Sequence, residues 1–296
     1  MITRKNLTIG AIAFVAVTTH LAHAYQVDVE VTRVSLETEF ESGDDRDNTS
    51  TISGQYYLSD IADNAALPYE ELGEFSQISN LGLDIVYTDD GFGNEYGYEL
   101  NGQVFIPDTN QFVYGVYGND RRGIEQITLG YGLFFIENFQ GRIGLFVQEV
   151  DEAEDNIEGD GFGANGSLAA VFAFSNGSYL ATRGELTILS AENDDFDEDE
   201  DVDYANVQFE AALDFYPVKQ LGLGIGLTSV ANVFDDENDT SETETFFFLN
   251  ANYHINELVN FRASYGFGEI DYESDFSFDQ NTLDLNGFRL EAGFRF

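Results

Sequence analysis

The chain has 296 residues, 43% hydrophobic and 15% aromatic, and its 55 acidic against 12 basic side chains give a formal charge of −43. That charge excludes nucleic acid as a partner, because phosphate backbones are bound by cationic surfaces. It does not signal disorder, since 27 Phe and 16 Tyr are far more aromatic surface than an unfolded acidic chain carries.

Residues 1–24 read as a cleaved leader: Arg4 and Lys5 precede a short apolar run, and Ala22-His23-Ala24 is a small-x-small cleavage site. The run is much shorter than the roughly 20 residues a spanning helix needs. Residues 25–296 then form a single domain whose pattern has period two almost throughout. Val27, Val29 and Val31 alternate with polar residues, and the apolar parity then slips to Val34, Leu36 and Phe40, which predicts a bulge. Residues 41–48 read as an acidic loop, 49–59 as a strand with Ile52, Tyr56 and Leu58 on one face, and 60–75 as a connection.

Five strands follow, with apolar faces at Leu81/Leu83/Ile85/Tyr87, Tyr96/Tyr98/Leu100/Val104/Ile106, Phe112/Tyr114/Val116, Ile127/Leu129/Tyr131/Leu133/Phe135 and Ile143/Leu145/Val147. Leu168/Ala170/Phe172/Phe174 and Leu180/Thr182/Leu186/Ile188 flank the turn Ser175-Asn176-Gly177. Val207/Phe209/Ala211/Leu213/Phe215, Leu221/Leu223/Ile225/Leu227, Phe247/Leu249/Ala251/Tyr253 and Val259/Phe261/Ala263/Tyr265/Phe267 continue the series. Phe288, Leu290, Ala292, Phe294 and Phe296 end it, alternating with Arg289, Glu291, Gly293 and Arg295.

The pattern predicts an all-β fold, a transmembrane antiparallel up-and-down barrel of about 14 strands, with 16 as the alternative. Connections alternate between short turns and long acidic loops such as 193–203 and 232–242, the asymmetry of barrels with periplasmic turns and extracellular loops. Tyr25, Tyr96, Tyr204, Tyr216 and Tyr253 are the expected interfacial girdle.

The closing aromatic strand, and Tyr56-Tyr57-Leu58-Ser59-Asp60 followed by Pro68-Tyr69-Glu70-Glu71-Leu72-Gly73-Glu74-Phe75, resemble the porin family of Gram-negative outer-membrane β-barrel proteins. The resemblance implies an outer-membrane location, insertion by the barrel-assembly machinery through the terminal aromatic strand, and passive diffusion of small hydrophilic solutes. It implies no cofactor and no catalytic residue.

If the apolar parity faces lipid, the other parity places Asp84, Glu99, Arg142, Arg183, Glu185, Glu210, Asp214, Arg262, Arg289, Glu291 and Arg295 on the lumen wall as pore-lining candidates. Gly82, Gly130, Gly132, Gly144, Gly222, Gly224, Gly226, Gly266 and Gly293 share that face, and are expected to leave room for water. A gap of roughly 10–15 Å is the expectation for about fourteen strands. Arg142, Arg183, Arg262, Arg289 and Arg295 are expected to form a basic patch, with the acids elsewhere around the wall and the acidic mouths favouring cations.

Other chemistry is weakly signalled. His254, the one histidine beyond the leader, reads as a solvated residue beside a turn, so a Ser–His or Asp–His hydrolase is the remote alternative. A structural or adhesive barrel with a closed lumen is the nearer one. Asp199, Asp201, Asp203 and Glu210 imitate calcium-loop spacing, but Tyr204 stands where the turn needs Gly. No metal site is expected, only diffuse Ca²⁺ or Mg²⁺ bridging the acidic loops to lipopolysaccharide and outer-membrane lipids. Both a monomer and a homo-oligomer fit the sequence.

Overall fold

The computed structural model describes residues 24–40, 43–62, 67–89, 94–119, 124–152, 157–195, 201–235, 241–256, 258–273 and 281–295. Residues 1–23 of the leader, Phe296 and Asp199 lie outside them, as do the tips of the acidic loops. The strands are β1 (Ala24–Phe40), β2 (Gly43–Ala62), β3 (Asn80–Asp89), β4 (Asn94–Phe105), β5 (Gln111–Asn119), β6 (Ile124–Ile136) and β7 (Phe139–Glu152). The second half comprises β8 (Ile157–Ala173), β9 (Tyr179–Asp195), β10 (Asp201–Val218), β11 (Leu221–Asp235), β12 (Ser241–Asn256), β13 (Val259–Glu273) and β14 (Asn281–Arg295).

Each strand pairs with its sequence neighbours and β1 pairs antiparallel with β14, closing a 14-strand barrel. Closure leaves no unpaired edge, the only way a sheet can stand in a bilayer. The apolar parity points outward as the alternation requires: Leu83, Leu129, Ile143, Leu223, Phe261 and Leu290 are all exposed, Leu129 to 70%. Tyr96 and Tyr253 stand on that outer face, but Tyr216 is fully buried inside, so it is not part of a girdle. Its neighbour Phe215 takes the outward position, and two adjacent aromatics cannot share a face of a strand.

Three further expectations are corrected. In β5 the parity is reversed: Val113 is exposed outside, while Phe112 is fully buried. Val116 and Tyr114 line an interior cavity. No bulge separates Val31 from Val34, where the register with β2 and β14 runs unbroken; the irregularity is between Tyr25 and Val27. Residues 43–48 are not loop but strand, paired with β1 through Asp45↔Thr38 and Asp47↔Leu36.

The interior glycines do not leave open space. A Cβ on Gly132 would stand 2.0 Å from the ring of Phe112, and one on Gly226 2.0 Å from that of Phe248. On Gly130 it would meet Tyr114, on Gly266 Phe246, and on Gly144 Asn165. Asn101 covers Gly82, Asn252 covers Gly222, Asp214 covers Gly224 and Asn260 covers Gly293. Each glycine is thus the floor on which a neighbouring strand's side chain lies flat.

Candidate functional site: a luminal segment and the cavity beside it

The connection from β2 to β3 is the feature that shapes the lumen. Instead of lying outside the barrel, residues 67–79 fold into it, around a single 3₁₀ turn, Tyr69–Glu71. Pro68 sets the extended entry with φ −67° and ψ 160°. Backbone bonds from Glu71 N to Pro68 O (3.2 Å) and Phe75 N to Glu71 O (3.2 Å) tighten the coil. Leu67, Leu72 and Phe75 are buried in one apolar cluster with Tyr57, Ile61, Phe112, Phe134, Val171, Tyr179 and Tyr216. Phe75 stands edge-on to Phe134 at 6.3 Å. Each such side chain taken out of water contributes about 1.5–3 kcal/mol.

The polar face of the segment is bound to the wall by charge. Glu70 accepts from His254 Nε2 (2.8 Å) on β12 and from Arg262 on β13. Glu71 accepts from the Tyr216 hydroxyl (2.9 Å) on β10 and from Arg183 on β9. Glu74 accepts from Arg183 Nε (3.1 Å) and from Gln140 Nε2 (2.9 Å) on β7. Arg295 Nη1 donates to the Tyr69 carbonyl (2.6 Å), its Nε to Asp28 Oδ2 (2.9 Å), and Tyr69 N donates to the Lys219 carbonyl (3.3 Å) in the β10–β11 turn. These contacts place the segment at the short-turn end of the barrel.

The arginines expected as a basic patch are therefore largely neutralised. Arg183 also approaches Asp214 Oδ2 (3.5 Å), and Arg262 and Arg289 share Glu291 at 3.2 and 2.7 Å. Arg142 is held differently, bonding Gln140 (3.5 Å) and lying 5.4 Å from the centre of the Phe112 ring. His254 is wholly buried, not solvated, and packs edge-on against Tyr69 at 5.9 Å.

Beside the segment lies a cavity of about 550 Å³. Asp28, Glu30, Glu74, Glu99 and Glu185 line it against one basic residue, Arg142, together with Gln55, Asn80, Asn101, Asn165, Tyr57 and Tyr114. Asp84 stands directly across the strand pair from Glu99, with Asn101 Nδ2 bonded to both at 3.2 and 3.3 Å. Glu185 is likewise opposite Glu210, and both line an adjoining space of about 190 Å³ with Arg142 and Arg183. The structure thus gathers Glu99, Arg142 and Glu185 at the cavity, with Asp84 behind Glu99. Arg183, Asp214, Arg262 and Arg295 gather around the inserted segment, with Glu291 and Arg289 behind Arg262. The sequence reading missed Asp28, Glu30 and all three glutamates of the segment.

Burial is the largest influence on Glu71 and pushes its carboxyl up to about 7, with Arg183 opposing. Burial acts on Glu70 in the same sense, but Arg262 and His254 outweigh it and hold that carboxyl well below the usual range.

Neither the protein-family models nor the curated proteins compared with the sequence contain a match. Among solved structures, the Acinetobacter baumannii outer membrane protein Omp33 superposes with a TM-score of 0.56 at 15% identity, covering 93% of this chain and 100% of that one. A bacterial polysaccharide outer membrane secretin superposes at 0.51 with 10% identity, covering 93% of this chain and 100% of its own. The chain shares its fold with solved outer-membrane proteins.

Proposed function

We propose that the protein is an outer-membrane channel for passive diffusion of small hydrophilic solutes. It prefers cations and is obstructed at its short-turn end by the inserted segment. The observation that carries this reading is the cavity: a space of about 550 Å³ inside a closed barrel, walled by five carboxylates and one guanidinium. Surplus charge of one sign in a narrow, low-dielectric passage raises the local concentration of the opposite ion. The apolar outer face supports placement in a bacterial outer membrane. A hydrolase reading gains nothing from His254, whose Nε2 is committed to Glu70 in a fully buried position.

The segment itself favours the second reading, a structural barrel with a closed lumen. Ion current through planar bilayers containing the folded protein separates the two: a closed structural barrel passes none.

The same currents should depend on pH. A Glu71 freed from the wall titrates near the ordinary glutamate value of about 4.3, against about 7 when docked. Between those values the docked form binds more protons, so acidification from pH 7.5 toward 5 strengthens docking and lowers the current. Glu70 acts oppositely: its contribution is present above the ordinary value and is lost as pH falls below it. Current should therefore pass through a minimum near pH 4, about the ordinary glutamate value where the two effects balance, and recover at lower pH. A current that rises steadily from pH 7.5 to 5 contradicts the assignment.

A further inference from the structure

The two glutamates at the 3₁₀ turn are held in a way that ordinary surface ion pairs are not. Both oxygens of Glu70 are engaged, Oε2 by His254 and Oε1 by Arg262. Both oxygens of Glu71 are engaged too, Oε1 by Tyr216 and Oε2 by Arg183. Each cradle is one guanidinium and one further donor from an adjacent strand, and each of the two takes one oxygen of the carboxylate, the guanidinium through a charge-assisted hydrogen bond. The donors belong to the hydrogen-bonded wall, whereas the carboxylates ride on a connection between strands.

The wall also has donors that Glu70 does not use. Asn252, directly opposite Arg262 in the β12–β13 register, is 1% exposed, and neither atom of its amide has a partner among the described residues. Arg262 Nε is likewise buried and unpartnered. A buried donor without an acceptor is unfavourable, so Asn252 Nδ2 and Arg262 Nε can take acceptors that the segment does not supply.

We propose that the two cradles form a binding site for small carboxylate solutes, for which Glu70 and Glu71 are built-in surrogates. A free carboxylate that takes the cradles lifts the Tyr69–Glu71 turn and opens the lumen along β9–β13. The proposal rests on the channel reading. Phe75, against Phe134 on β6, lies on the other side of the segment and serves as its anchor. A ligand shifts this equilibrium only by its preference for the undocked state, and here that preference is complete, because docked glutamates and free carboxylate compete for the same donors. Two neighbouring cradles suit a short dicarboxylate. Approach is from the short-turn end, since the cavity on the other side presents Glu30, Glu99 and Glu185 to an incoming anion.

The test uses the full-length mature protein in planar bilayers, with succinate as probe and neutral succinamide as control. Millimolar succinate should raise the open fraction several-fold from the short-turn side and less from the other, and succinamide should do nothing. The variant Glu70→Ala/Glu71→Ala, which leaves neither a carboxylate nor a protonated carboxyl to dock, should already be open and should gain nothing from succinate. The proposal is overturned if succinate acts no better than succinamide on a conducting parent, or if the folded double variant stays closed. If folded protein passes no current, the channel reading fails alone. Calorimetric titration of the double variant with succinate then decides the site: saturable heat upholds it, and none overturns it.

Discussion

Replacing residues 67–77 by a short Gly-Ser turn between β2 and β3 should increase single-channel conductance on the order of tenfold, because the segment is the largest obstruction in a lumen whose width is set by strand number. The barrel itself should persist, since its closure depends on the β1–β14 ladder and not on the insert. Tyr57, Phe112, Phe134 and Tyr179 would lose their cover, so some stability goes with it. Retention of the folded electrophoretic form on unheated gels checks that the variant remains a barrel. The arginines released by the deletion would also make the short-turn half less cation-selective. A folded deletion variant with the parent's conductance would show that the segment does not limit the passage.

Arg183→Ala should have the largest effect of any single substitution at the wall. One guanidinium serves Glu71, Glu74 and Asp214, and Glu71 is fully buried. Removing one partner of a buried pair leaves an uncompensated charge at a cost of about 3–5 kcal/mol, here toward the lower end because Arg183 is partly exposed. Denaturant unfolding in vesicles measures the loss. Adding Glu71→Gln should recover part of it, since the stranded carboxylate is then gone. Equal stabilities of Arg183→Ala with and without Glu71→Gln would mean that the pair does not hold the segment.

The barrel was legible because a strand with lipid on one side and water or polar side chains on the other must alternate. Leu81, Leu83 and Ile85, and likewise Phe288 and Leu290, follow that rule without exception. The rule gave way where both parities carry large aromatics. Phe112-Val113-Tyr114 and Phe215-Tyr216 admit either facing, and only burial against the inserted segment and neighbouring strands decides. His254 was readable in principle, for it shares parity with Asn250 and Asn252 and opposes the exposed Tyr253. Its nearness to a turn suggested water, but Glu70 had already taken that place.

The segment was hidden for a different reason. Glu71 and Arg183 are 112 residues apart, and Glu70 and Arg262 are 192 apart, so no local pattern links them. The available signal was complementarity: three glutamates among Leu67, Leu72 and Phe75 in a connection longer than a turn needs, facing a wall rich in arginine. The glycines misled because a missing side chain says nothing about whether a neighbour's ring fills its place, as Phe112 does over Gly132.

Reversal potentials in planar bilayers under a KCl gradient test most directly whether the lumen is an acidic aqueous passage. The carboxylates of the cavity predict a K⁺ over Cl⁻ preference near 0.1 M salt. It should weaken toward 1 M, where the screening length falls from about 10 Å to about 3 Å. Glu99→Gln and Glu185→Gln together should reduce it further at low salt. Chloride preference in the parent protein, or no current from protein that is demonstrably folded, would contradict the channel.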